Sequence, residues 1–91
     1  MENQLKQIIS FYGIKKQLKY IHSEYFELDD AILEANDYPY DDEINHIAEE
    51  IADVMVMLKQ FQYYYDIEDK QIEDIMKEKI KRQLERIKEG K

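Results

Sequence analysis

Apolar residues recur along the chain at steps of three and four, the period of helices that bury one face. Leu5, Ile8, Ile9 and Tyr12 keep this spacing through a first segment from about Asn3 to Tyr12. Gly13 follows, a residue common just past a helix end, so the spacing predicts a short helix and a bend. Ile14, Leu18, Ile21, Tyr25, Leu28, Ile32 and Ala35 then alternate steps of 4 and 3, a heptad-like seam that predicts a helix over 14–35. The stretch from Asn36 to Asp42 reads as a loop, because Pro39 disfavours helix at Tyr38. Asp41 or Asp42 is the expected cap of the next helix, with Glu43 adding favourable charge at its positive end. That helix carries Ile44, Ile47, Ala48, Ile51, Val54, Met55, Leu58 and Phe61 and runs to about Tyr64. Asp66 is the expected cap of a last helix with Ile72, Ile75, Met76, Ile80, Leu84 and Ile87 on one face, ending near Glu89 with Gly90 as its C-terminal cap. The expected fold is therefore all-α, a single domain over 1–91: a compact bundle of one short and three longer helices. Association with further copies would make it resemble a four-helix bundle.

Composition narrows the possible functions. The chain has 91 residues, with 2 Gly and 1 Pro, too few for many tight turns. Having no Cys, it can form neither a disulfide framework nor a thiolate metal site. Its 21 Asp and Glu outnumber 13 Lys and Arg, for a net charge of −8. That balance argues against nucleic acid and anionic membranes as partners, since both need a basic face. No apolar run approaches the roughly 20 residues of a membrane span, and the start of the chain lacks signal-peptide character, so a cytoplasmic protein is expected. A chain this short buries only about 60–65% of its unfolded surface. Its apolar faces therefore predict self-association, as a homodimer or homotetramer.

Four acidic residues stand apart from an ordinary solvated surface. Glu24 and Glu27 lie three apart on the second helix, and Glu50 and Asp53 lie three apart on the third. That spacing sets each pair on one face, about 60° apart around the axis. Glu24 and Glu27 flank Ile21, Tyr25 and Leu28, while Glu50 and Asp53 flank Ile47, Ile51 and Val54, so both pairs border a seam. If the two helices pack antiparallel across their short loop, the pairs can face one another. Four convergent carboxylates must take up protons, separate or hold a cation. Oxygen ligands without Cys suit Mg²⁺, or Mn²⁺, rather than Zn²⁺. The competing reading is a pair of solvated, salt-bridging faces.

Glu24-Tyr25-Phe26-Glu27, followed after 22 residues by Glu50-Ile51-Ala52-Asp53, resembles the ExxE…ExxD pattern of the MazG-type all-α nucleoside triphosphate pyrophosphohydrolases. Phe11-Tyr12-Gly13 with Gln17, the run Glu49 to Leu58, and Lys79, Gln83 and Arg86 on the last helix extend the resemblance to about 5–86. It departs at Ser23, where many relatives carry Glu, and at Gln83, where Asn is common. The resemblance implies hydrolysis of a nucleoside triphosphate between its α and β phosphates, giving a monophosphate and pyrophosphate. Glu24, Glu27, Glu50 and Asp53 would be the Mg²⁺ ligands and catalytic groups, and Lys79 and Arg86 would contact phosphate. One of the four acids, or Glu49, would orient the attacking water. A phosphoribosyl-ATP pyrophosphatase is the neighbouring alternative, but Met55-Val56 stands where a Tyr-His would be sought. A non-catalytic helical adaptor is the alternative from another class. Lys79 and Arg86 also suit a solvated mixed-charge tail, and His22 and His46 read as structural or surface residues. Tyr63-Tyr64-Tyr65 suits bundle core or a subunit interface better than base stacking. Gln17 reads either as a base-edge contact or as a solvated side chain.

Overall fold

Gly13 divides what would otherwise be one long N-terminal helix. In the computed structural model, which describes residues 1–90, it adopts a φ of 88°, a left-handed conformation that glycine accepts without strain. Helix α1 (Glu2–Tyr12) ends there and α2 (Ile14–Asp37) begins on the other side. A short turn containing Pro39 leads to α3 (Asp41–Tyr64), and a second turn leads to α4 (Asp69–Lys88). The chain is all-α, with one short and three longer helices, as the periodicity predicts. Gly90 closes α4 at a φ of 76°, its N–H donating to the Ile87 carbonyl. Among the described residues, no helix is long and apolar enough to cross a membrane.

Two expected caps fall elsewhere. Tyr40 occupies the N-cap position of α3, and Asp41, Asp42 and Glu43 lie inside its first turn, where they favour the positive helix end without a side-chain cap bond. Asp66 does not cap α4. It sits in the preceding turn at a φ of 56°, and Glu68 holds the cap position. Asn and Asp tolerate the left-handed region better than most residues, which suits Asp66 to the turn. Its carboxylate instead accepts a 2.9 Å bond from Lys6 Nζ, tying the turn to α1.

The core is small: α2 packs along α3, and α1 lies against both. Leu5, Ile9, Ala31, Ala35, Met57 and Tyr63 are its buried apolar side chains. The seam of α2 is rotated from the apolar one. Gln17, Ile21, Glu24, Leu28, Ala31 and Ala35 turn inward, while Leu18, Tyr25 and Ile32 remain 46–61% exposed. The same holds on α3, where Glu43, Ile47, Glu50, Val54 and Met57 turn inward and Ile44, Ala48, Ile51, Met55 and Leu58 form an outward stripe. The polar residues drawn inside include a hydrogen-bonded pair, with Gln17 Nε2 donating to Gln60 Oε1 at 2.7 Å across the bundle, while Gln17 Oε1 has no partner among the described residues. Gln17 is thus a buried structural contact, the reading given neither as base contact nor as solvated residue.

Helix α4 packs against none of the other three and has no buried residue. Its start is fixed by Asp69, whose Oδ1 accepts bonds from Lys59 Nζ at 2.6 Å, Gln62 Nε2 at 2.8 Å and the Tyr63 hydroxyl at 2.8 Å. Tyr63 is thereby a core residue, while Tyr64 and Tyr65 form an exposed edge-to-face pair. The Lys59 ammonium first, then the Gln62 and Tyr63 donors, hold the Asp69 carboxyl down to about 2 from its usual 3.8. A carboxylate whose pKa falls on folding stabilises the fold above its unfolded value, and the contribution disappears as pH falls through the folded value. The α3–α4 junction should therefore loosen between about pH 3.8 and pH 2. The Tyr63 ring resonances followed by NMR should show that step, and Asp69→Asn should remove it.

Candidate metal centre

The antiparallel α2–α3 hairpin brings the two acidic pairs together. Glu24, Glu27, Glu50 and Asp53 each offer an oxygen, and these oxygens all lie within 4.8 Å of one another. The inward seams make this possible, because the small side chains of Ala31 and Ala35 on α2 permit close approach to α3. Glu50 is buried at 8% exposure and Glu24 is half-buried, whereas Glu27 and Asp53 are exposed. The set therefore has a buried floor and a solvent-facing rim. The two inner acids lie within the packed seam, a deeper position than the seam edge that the spacing predicts.

The electrostatics are those of an uncompensated site. The Oε2 atoms of Glu24 and Glu50 are buried and have no hydrogen-bond partner among the described residues. Burial is the first cause that raises the Glu24 carboxyl above its usual 4.5, followed by the charge of Glu27 and a side-chain hydrogen bond with it, and then by the charges of Asp53 and Glu50. Buried ionised groups are normally paired or bound to a metal. Among the described residues, the one ion pair that reaches the set is that of His46, when protonated, whose Nε2 lies 3.2 Å from Glu50 Oε1. This contact holds Oε1 of Glu50 and leaves Oε2 without a partner among the described residues, as an outer-shell contact orients a ligand. His46 read as a lone structural or surface residue in the sequence. Its i,i+4 relation to Glu50 was the signal for this contact.

The donor set fits a hard divalent cation. All four contributions are carboxylate oxygens, with neither thiolate nor ligating imidazole among them, the chemistry that suits Mg²⁺ or Mn²⁺. The orphaned Glu24 and Glu50 oxygens are the observation that such an ion would satisfy.

The remaining candidates are not gathered there. Lys79 and Arg86 lie on α4, where they share a cleft with Arg82 and Gln83. Among the described residues, no ion pair joins either cation to the four acids. Glu49 is exposed beside Glu50, and His22 is exposed on α2. A larger open cleft of about 720 Å³ lies at the α1–α2 bend, lined by Tyr12, Gly13, Lys16, Lys19 and Tyr64 among others. Lys16 Nζ stands 5.0 Å above the Tyr12 ring there, a cation–π contact that periodicity alone does not reveal. Comparison of the chain with protein-family models, curated proteins and solved structures gave no match.

Proposed function

We propose that this chain is a divalent-cation-dependent hydrolase of nucleoside triphosphates, converting an NTP or dNTP and water into the monophosphate and pyrophosphate. The observation that carries the reading is the convergence of Glu24, Glu27, Glu50 and Asp53 within 4.8 Å around buried, unpartnered oxygens. The resemblance of ExxE…ExxD to the MazG-type enzymes supplies the reaction class, and Mg²⁺ is the proposed ion, with Mn²⁺ as substitute. The four carboxylates hold the ion. An ion so bound supplies charge neutralisation for the phosphate and lowers the pKa of water. Without it an acidic protein repels a polyanionic substrate. In the reaction, water oxygen bonds to a phosphorus of the α–β anhydride, the bridging oxygen leaves with its product, and a carboxylate accepts the water proton. Lys79 and Arg86 join this scheme as phosphate contacts only where an α4 is brought to the α2–α3 hairpin. Clearing of aberrant nucleotides from a cytoplasmic pool is the corresponding role.

The exposed α4 favours a second reading, a non-catalytic helical interaction module. The two are separated by a pyrophosphate-release screen over common and modified NTPs and dNTPs with Mg²⁺ or Mn²⁺. The hydrolase reading predicts release from at least one substrate, abolished by EDTA and by Asp53→Asn. Silence across the panel, with the protein folded by circular dichroism, would favour the module.

A further inference from the structure

We propose that the cleft at the α1–α2 bend is a second ligand site, which binds a flat aromatic ring carrying phosphate, the chemistry of a nucleoside monophosphate, without a metal ion. The first support is where the cations of the acidic body lie. Residues 1–68 carry fifteen acids against five lysines. Lys6 pairs with Asp66, and Lys59 pairs with Asp69. The other three, Lys15, Lys16 and Lys19, make no ion pair among the described residues, and all three line this cleft. No carboxylate lines it, so the lysines and not a bound cation supply the charge that an anion needs. The acids elsewhere on the chain are screened over about 8 Å at physiological salt, which leaves the local charge to decide.

The second support is a conflict within α2. The helix starts at Ile14, so Lys15 and Lys16 stand in its first turn, against its positive end. That turn holds no acid and has no side-chain cap. Lys19 is four residues from Lys15 and three from Lys16, so the ammonium groups also repel one another. Three positive charges thus sit where the helix alone disfavours them, and such breaks of local rules mark functional positions. A phosphate group accepting from the lysines removes the conflict.

The third support is shape. The cleft measures about 720 Å³, within the range of about 300–1,000 Å³ typical of small-molecule sites. Tyr12 from the end of α1 and Tyr64 from the end of α3 line it with the start of α2, so three helices converge there. The Tyr12 ring is engaged, with Lys16 Nζ 5.0 Å above it. Tyr64 is 44% exposed and offers its ring to a base, since aromatic faces accept any base. A smaller cleft of about 260 Å³ shares Lys16 and Lys19 and adds Tyr20 and Ser23, which extends the cationic surface along α2.

The proposal is independent of the hydrolase reading, because none of the four acids lines this cleft and the test is run in EDTA without turnover. AMP titrated into the full chain and followed by proton–nitrogen NMR should give saturable shifts at the amides of Lys15, Lys16, Lys19 and Tyr64. Adenosine, which lacks the phosphate, and inorganic pyrophosphate, which lacks the ring, should each bind at least about tenfold more weakly. Lys16→Glu combined with Lys19→Glu should raise the AMP dissociation constant at least about tenfold, and Tyr64→Ala should do the same while leaving pyrophosphate binding unchanged. Circular dichroism should show both variants folded, since the altered side chains are exposed. Absence of saturable shifts at these residues, equal AMP affinity in wild type and the double lysine variant, or pyrophosphate bound as tightly as AMP would overturn the proposal.

Discussion

Glu50→Gln is expected to lower divalent-dependent pyrophosphate release by at least about 100-fold, since even outer-shell changes at metal sites cost about 10–100-fold. The same change should stabilise the cation-free protein. Glu50 is buried, its Oε2 has no partner, and its charge helps to raise the Glu24 carboxyl. A glutamine keeps the shape and keeps an acceptor for His46, but removes the repulsion. The expected gain is about 1 kcal/mol, on the scale of a buried polar group relieved of an unfavourable setting. In a domain of this size that is about 4–8 °C in melting temperature. Adding Mg²⁺ should stabilise the wild type and leave the variant unchanged. Activity lost while stability rises separates a ligand from a structural acid, because a structural acid would lose both or neither.

Ile9→Ala should be the most damaging single truncation. Ile9 is fully buried, and with Leu5 it is all that α1 buries. Removing its side chain at such a site costs about 2–5 kcal/mol. Small domains have total stabilities near the lower end of about 5–15 kcal/mol, so this one change approaches the margin. Its neighbour Ile8 is 37% exposed, and Ile8→Ala should cost about 1 kcal/mol or less. Urea denaturation of the two variants should separate them clearly. Equal midpoints would show that α1 is not held by this contact.

Most of the architecture can be read in the residue pattern. Gly13 and the Pro39 turn divide the chain, and the three-four spacing sets the helix boundaries within a few residues. The convergence of the acids was also legible, because i,i+3 pairs on two helices joined by a short loop have few other places to go. The rotation of the α2 and α3 seams was not. A broad apolar stripe does not say which of its flanks turns inward. Here Ala31 and Ala35 allow close packing, and Gln17 donates to Gln60, so a seam containing Gln17 and Glu24 turns inward in place of Leu18, Tyr25 and Ile32. The caps at Tyr40 and Glu68 were hidden because neither makes a side-chain cap bond. For α4, periodicity shows that a face calls for cover but not which chain provides it.

Glu24, Glu27, Glu50 and Asp53 are proposed to form one divalent-cation site. Electron paramagnetic resonance of Mn²⁺ titrated with the protein tests it most directly, because free ion gives the sharp signal and bound ion does not. Saturable loss of signal is expected with the wild type, reversed by excess Mg²⁺ and absent in Glu50→Gln. Equal loss of signal with wild type and Glu50→Gln, or no saturable loss with either, would contradict it.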